Sequence, residues 1–250
     1  MIRLNRIVLC TALLCACDAQ AEGSSCSENS AQIHLHNTYI RLQNLYGIPA
    51  ISPPHIVIHN ENLTVSDRDN TPIFGYYDGQ TKTLHVACNS GSVNSLEVSI
   101  GHEATHYYLG QAFGKLPVWL NEGLASYMEV GNTLEDNAAN KMNRPRIKEF
   151  KELLKHGRGP PFVELLNQPP QTTKLSQYYA SYWALVFSLM HHPDGNVQQQ
   201  RRGLLLDLLN DNDHAPAALN HRLIKGLLKD DTSSLADWEL SWRRQIWNLN

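Results

Sequence analysis

The chain has no strongly basic stretch, and its formal net charge is −3. Because nucleic-acid binding requires a clustered lysine and arginine surface, this charge balance argues against a nucleic-acid partner. Beyond the first residues, no segment reaches the roughly 18 apolar residues that a membrane-spanning helix needs. Internal repeats and low-complexity tracts are also missing. What remains is the composition of an ordinary globular protein, 42% hydrophobic and 18% charged.

The N-terminus has the features of a signal peptide. Two arginines in "MIRLNR" precede the apolar run "IVLCTALLCA", which is too short to span a bilayer as a mature helix. Two processing sites compete. "AQA" at residues 19–21 suits a signal peptidase and gives a mature chain from Glu22, whereas "LCAC" at residues 14–17 resembles a bacterial lipobox and gives a lipidated Cys17. We expect a leader at residues 1–21, a single domain at residues 22–250, and a periplasmic or secreted protein, with a lipid anchor at Cys17 as the alternative.

Cysteine is scarce outside this leader. Three of the five cysteines, Cys10, Cys15 and Cys17, belong to the leader, so the mature chain keeps Cys26 and Cys88. Two cysteines in an exported protein are candidates for one disulfide, and the alternative is two buried thiols. Neither lies in a C-x-x-C pattern, which argues against a metal role for them.

Hydrophobic periodicity predicts an α+β fold. An amphipathic helix over residues 29–46 should stop at Gly47, and "HIVIH" at 55–59 should form a strand. Asp78-Gly79 marks a hairpin between two strand-like runs in residues 73–88. A helix over Val93–Leu109 should end at Gly110, and a second follows in "LPVWLNEGLASYMEV". The expected architecture is a small mixed sheet in residues 22–130 followed by a mainly helical part in residues 131–250. Further helices are predicted at about 144–156, 161–167, 174–190, 198–211, 217–228 and 234–248.

The first predicted long helix contains the motif "GHEATH". Residues four apart lie on one helix face, so His102 and His106 can direct two imidazoles at one ion. Glu103 lies about 100° around the helix, where it can reach a metal-bound water as a general base. Zinc suits imidazole and carboxylate ligands, and a catalytic zinc uses three protein ligands. A third ligand must therefore come from elsewhere in the chain.

Glu122 is the candidate third ligand. It lies sixteen residues after His106, beyond two glycines and a proline that can turn the chain back. The alternative is an ordinary surface carboxylate. That alternative is costly because apolar residues surround Glu122 in sequence: Trp119, Leu120, Leu124 and Tyr127. Glu129, two helical turns beyond Glu122, is a candidate partner for the second ring nitrogen of a ligand histidine, and the alternative is a solvated charge at the helix end.

"GHEATH" followed by "WLNEGLASYME" resembles the gluzincin metallopeptidases, most closely their peptidase-MA-like group. The resemblance is strongest over residues 75–130 and implies a zincin-like fold with a two-helix zinc site. It implies Zn²⁺ bound by His102, His106 and Glu122, with Glu103 as the general base. Two features differ from the best-known gluzincins: the interval between His106 and Glu122 is a few residues shorter, and Ser126 stands where some members have an aspartate.

A weaker similarity occurs at "YYASYWALVFSLM", residues 178–190, which resembles a later gluzincin helix. It implies Tyr179 as a hydrogen-bond donor to the oxyanion, although aromatic residues at helical spacing are more often core. The family also binds peptide substrates by adding them to an edge strand, and "TKTLHVAC", residues 81–88, is the candidate strand here; the alternative is a structural hairpin with no substrate role.

The sequence therefore predicts an exported zinc metallopeptidase that acts on a peptide or protein, with no membrane span in the mature chain. A gluzincin-like scaffold that binds zinc or peptides without catalysis is the second hypothesis. A chance motif that binds no metal is the third.

Overall fold

The structure, a computed structural model, describes residues 27–60, 63–64, 72–88, 93–130, 142–168, 174–211, 215–229 and 234–249. The predicted leader, its two processing sites and Cys26 lie outside these residues. The described chain has the predicted α+β architecture: one helix and a small sheet are followed by a mostly helical part. None of the described helices is both long enough and apolar enough to cross a membrane.

Five short strands and nine helices make up the described chain. The strands are β1 (His55–His59), β2 (Leu63–Thr64), β3 (Pro72–Ile73), β4 (Gly75–Asp78) and β5 (Thr83–Ala87). The helices are α1 (Glu28–Tyr46), α2 (Val93–Phe113), α3 (Val118–Met128), α4 (Arg144–Lys155), α5 (Phe162–Asn167), α6 (Leu175–Met190), α7 (Gly195–Leu209), α8 (Pro216–Leu227) and α9 (Leu235–Trp247).

The main sheet has the strand order β1-β5-β4. β1 pairs parallel with β5, and β4 pairs antiparallel with β5 through the predicted hairpin. The prediction that residues 81–88 form a substrate-binding edge strand is wrong. β5 is the central strand, and its backbone groups on both sides already pair with β1 and β4. β2 and β3 form a separate two-stranded sheet.

Glycines end the first two helices, but at only one of the two predicted positions. Gly47 has φ 65° and its N–H donates to the carbonyl of Gln43, which confirms the predicted end of α1. α2 continues through Gly110 to Phe113 and stops before Gly114, which has φ 70°. A glycine such as Gly110 lowers helix propensity, but a helix can continue through it. The positive φ of Gly114 is incompatible with a right-handed helix, so α2 ends before this residue.

The described residues divide into two compact units. The first unit contains the described residues of Met1–Ala112 and Met128–Glu135. Its core lies between the sheet and the helices α1 and α2. The second contains those of Phe113–Tyr127 and Asp136–Asn250. Its central helix is α6, whose residues from Tyr178 to Met190 are all buried, packed by α4, α5, α7 and α9.

Cys88, directly after β5, is disulfide-bonded. A free buried thiol at this position is therefore excluded. The predicted partner, Cys26, lies outside the described residues, so the pairing of these two cysteines stays a prediction.

Candidate metal centre

Both histidines of the motif are buried in the middle of α2. Their spacing of four residues puts them on the same helix face, with ring centroids 4.8 Å apart and ring planes at 77°. Tilted rings can present lone pairs toward one point without a clash between them. The helix geometry expected from "GHEATH" is therefore present in the folded chain.

Glu122 completes a group of three potential ligands. His102, His106 and Glu122 each offer one ligand atom, and these atoms all lie within 4.8 Å of one another. All three side chains are buried. Two imidazoles and one carboxylate are a donor set that transition metals bind, so this buried group could hold a metal ion.

Glu129 fixes the orientation of His102. Oε1 of Glu129 lies 3.0 Å from Nδ1 of His102, and both residues are buried. An ionised carboxylate can only accept a hydrogen bond, so Nδ1 carries a proton, and in the neutral imidazole Nε2 then presents its lone pair. This is the tautomer that a metal ligand needs, and the same carboxylate makes the imidazole more basic.

Two contacts in the first unit hold the chain segment that carries Glu129. Arg41 on α1 is buried; its Nη2 donates to the carbonyl of Val130 at 2.7 Å and lies 3.6 Å from Sδ of Met128. On α2, a Cβ added to Gly101 would lie 2.5 Å from the carbonyl oxygen of Met128. Only glycine permits this approach, which places the residue before His102 against the residue before Glu129.

Glu103 is fully buried and lies beside the edge strand β4. A Cβ added to Gly75 of β4 would lie 3.3 Å from Cγ of Glu103 and 3.4 Å from Cβ of Ser99. The close contact between α2 and β4 thus depends on a glycine. It places the candidate general base next to the backbone of the strand.

The charge of the site favours a cation. Glu103, Glu122 and Glu129 are three buried carboxylates, and ionised groups are costly to bury unless opposite charge offsets them. Histidines must be neutral to bind a metal, and in that form they would add no positive charge to this group. A divalent cation bound by His102, His106 and Glu122 would offset much of the repulsion.

Three tyrosines of α6 differ in their surroundings. Tyr179 is buried and has the Arg146 guanidinium 5.6 Å from its ring centroid. Tyr178 donates to Oε1 of Glu164 at 2.7 Å, and burial together with this bond raises its pKa to about 12. Burial also raises the pKa of the Tyr182 hydroxyl, and the charge of Glu122 raises it further.

A glycine on α3 accounts for the closeness of Tyr182 and Glu122. A Cβ added to Gly123 would lie 2.8 Å from the carbonyl oxygen of Tyr182 and 2.6 Å from Cγ2 of Val186. α3 and α6 therefore approach each other closely at the residue next to Glu122. This contact explains why a residue with poor helix propensity occupies a helix interior.

Residues 97–202 match a family described as "Protein of unknown function (DUF1570)". The matched range includes His102, Glu103, His106, Glu122 and Glu129, together with the whole of α6. No curated protein and no solved structure matches the chain significantly.

Sequence reasoning missed the residues that act on the site from other elements. Arg41, Gly101 and Tyr182 contact or influence the site only through tertiary packing. A signal existed for Tyr182, which lies one helical turn after Tyr179, but periodicity alone did not distinguish the two.

Proposed function

We propose that the protein is an exported zinc metallopeptidase. The observation that carries this proposal is the buried group of His102, His106 and Glu122, with Glu103 directly after the first histidine. Zinc is the metal that best suits two imidazoles and one carboxylate in a hydrolytic site. When bound, zinc would lower the pKa of a water molecule and polarise the scissile carbonyl.

Glu103 supplies the proton transfers in this proposal. Its carboxylate takes a proton from the attacking water and delivers that proton to the leaving amine, so Glu103 returns to its ionised form at the end of each cycle. Its burial beside β4 keeps bulk water from competing for the proton. Glu129 holds the tautomer of His102 throughout the cycle.

We further propose β4 as the strand that receives the substrate. Among the described residues it pairs on one side with β5 only, and Gly75 places its backbone next to Glu103. An extended peptide that adds to this edge would bring its carbonyl groups toward the general base.

Tyr182 is a stronger candidate for the oxyanion donor than Tyr179, because the charge of Glu122 acts on its buried hydroxyl. Tyr182→Phe should lower kcat by a factor of about 10² to 10³ while the protein keeps its metal. Tyr179→Phe is the matched control three residues away. A larger loss of kcat in Tyr179→Phe would restore the role that the family resemblance implies.

Export is supported by the disulfide at Cys88, since disulfides persist mainly in oxidising compartments. The leader predicted at residues 1–21 agrees with this location. Cleavage at "AQA" or lipidation at Cys17 would be distinguished by the mass of the mature N-terminal peptide.

The decisive experiment is the substitution Glu103→Gln. We expect it to retain zinc and to lower the hydrolysis of a peptide library by about 10² to 10⁴. Glu97→Gln, six residues earlier on α2 and half-exposed, should leave the rate unchanged. Equal hydrolysis by Glu103→Gln and the native protein would refute the mechanism.

A second candidate function is a metal-binding scaffold without catalysis. The observation that favours it is the depth of the site, because Glu103 is fully buried and the three candidate ligands are at most 6% exposed. A native protein that binds one zinc but cleaves no member of the library, with or without a chelator, would establish this alternative.

A further inference from the structure

The three-stranded sheet has two chemically different faces. Side chains alternate across a strand, so Ile56, Leu84 and Val86 lie on one face and are buried. Gly75 pairs with Val86 and belongs to the same covered face, where Glu103 packs. The opposite face carries polar residues that are half-buried or exposed: His55, His59, Tyr76, Asp78 and His85.

Two histidines meet on this opposite face. Nε2 of His59 lies 3.0 Å from Nδ1 of His85, although the residues are 26 apart in sequence. His85 is directly opposite Val57 on β1, which makes His59 its diagonal neighbour. The Tyr76 ring stacks on His85 with centroids 4.6 Å apart and planes at 13°, so the orientation of the His85 ring is fixed from the other side.

We propose that His59 and His85 form a second metal site, which binds a divalent transition-metal ion of the imidazole-preferring class, Cu²⁺ most strongly. Nitrogens bound at about 2.0–2.1 Å, with angles of about 90–109° at the ion, lie about 2.8–3.4 Å apart. The observed 3.0 Å falls within this range; without metal it is a hydrogen bond between the two rings, which a bound ion would replace once the donor ring carries its proton on the other nitrogen. The imidazole affinity of divalent first-row metals is highest for Cu²⁺.

The surroundings of His85 favour the neutral form of its ring. A histidine must be neutral to bind a metal. Partial burial lowers the pKa of His85, and the neighbouring His59 and His55 lower it further, while Asp78 acts in the opposite direction. The net lowering keeps His85 neutral to more acidic pH than an exposed histidine. Water molecules would complete the coordination shell on this half-exposed face.

This second site does not rest on the peptidase proposal. The sheet separates it from Glu103, which lies against the covered face, and its ligands are not shared with the centre on α2. Among the described residues, His102, His106 and Glu122 are the only group of three or more potential metal ligands, so the pair is a site with two protein ligands.

The test is a count of bound copper on the full chain. Metal-free protein is dialysed against Cu²⁺ in the presence of glycine, which removes weakly held ions, and bound metal is measured by mass spectrometry. His59→Gln and His85→Gln should each bind about one copper ion fewer per chain than the native protein. His221→Gln, an exposed histidine on α8, is the matched control and should bind as much as the native protein.

Glutamine can still make one hydrogen bond in place of the imidazole, so the sheet should fold in both variants, which far-ultraviolet circular dichroism checks. Unchanged copper content in either variant would overturn the proposal, because both nitrogens are needed. An equal loss in His221→Gln would also overturn it, since the ion would then be bound adventitiously. The difference between the electron paramagnetic resonance spectra of the native protein and of each variant, which cancels copper bound by His102 and His106, should show coupling to two nitrogens.

Discussion

Removal of the carboxylate at Glu129 should weaken metal binding and leave the metal-free fold intact. Glu129 accepts a hydrogen bond from His102 at 3.0 Å in a buried environment. Glu129→Ala removes this acceptor altogether. Glu129→Gln keeps an acceptor oxygen but loses the charge. We therefore expect the order of zinc affinity to be native, then Glu129→Gln, then Glu129→Ala.

The magnitude follows from the type of hydrogen bond. A hydrogen bond to a charged group contributes about 1.5–3 kcal/mol, and each 1.4 kcal/mol corresponds to a tenfold change in Kd. Complete loss should therefore raise the zinc Kd by about 10- to 100-fold, which is the usual effect of removing the partner of a ligand histidine. Glu129→Gln should raise the zinc Kd about tenfold.

The metal-free protein should respond less than the zinc-bound protein. Glu129→Gln weakens a hydrogen bond that is present without metal, but it keeps an acceptor oxygen and removes one buried charge. The Tm of metal-free Glu129→Gln should therefore fall less than the Tm of the zinc-bound variant, each relative to the native protein in the same state. A general packing defect would lower the Tm equally in both states, which makes the two explanations separable.

The assay is competition for zinc with a chromophoric chelator, together with thermal unfolding in excess chelator. Glu97→Gln serves as the control for removal of a glutamate from the neighbouring helix α2. A zinc Kd for Glu129→Ala equal to that of this control would refute the orienting role of Glu129. It would also leave the 3.0 Å contact with His102 without a function in metal binding.

Three further predictions concern two contacts that support the centre on α2 and one histidine of the opposite sheet face. Gly101→Ala should lower the free energy of unfolding by about 1–3 kcal/mol in urea because its Cβ meets a backbone carbonyl, whereas Gly110→Ala, with open space, should raise it by up to about 1 kcal/mol. Arg41→Met should weaken zinc binding and cost about 1–3 kcal/mol of stability, since the carbonyl of Val130 loses its buried donor. Because folding lowers the pKa of His85 from 6.5, the unfolded chain binds more protons than the folded chain below that pH, and stability should fall as the pH drops below 6.5. His85→Gln should make this decline in Tm less steep. Equal effects of the two alanine substitutions, or an unchanged slope in the histidine variant, would contradict the respective arguments.

Local spacing in the sequence was sufficient to predict the part of the site that lies on one helix. The positions of His102 and His106 on one face follow from helical geometry alone, and the structure has their rings 4.8 Å apart. The interval from Glu122 to Glu129 likewise suggested a carboxylate near a ligand histidine. These inferences need only a period of 3.6 residues, which a single sequence supplies.

Contacts between distant segments could not be read from the same pattern. Strand order is one example: "TLHVA" alternates as an edge strand would, but its partner β1 lies more than twenty residues earlier in the chain. Arg41 is another, because nothing in an amphipathic helix shows that one of its arginines will be buried against residues 87 and 89 positions away. Such contacts are decided by tertiary packing, and one local sequence pattern is compatible with many packing arrangements.

The buried charge at the centre connects stability with function. Three carboxylates at most 6% exposed impose a cost on the folded chain, and an unfolded chain in water does not bear it. A ligand that binds only the folded state stabilises it by RT ln(1 + [L]/Kd). A divalent ion bound by His102, His106 and Glu122 would therefore stabilise the folded chain, and in the proposed enzyme the metal that serves catalysis would also contribute to stability. The metal dependence of Tm should consequently be steep in the native protein and reduced in Glu103→Gln, where one of the three charges is missing.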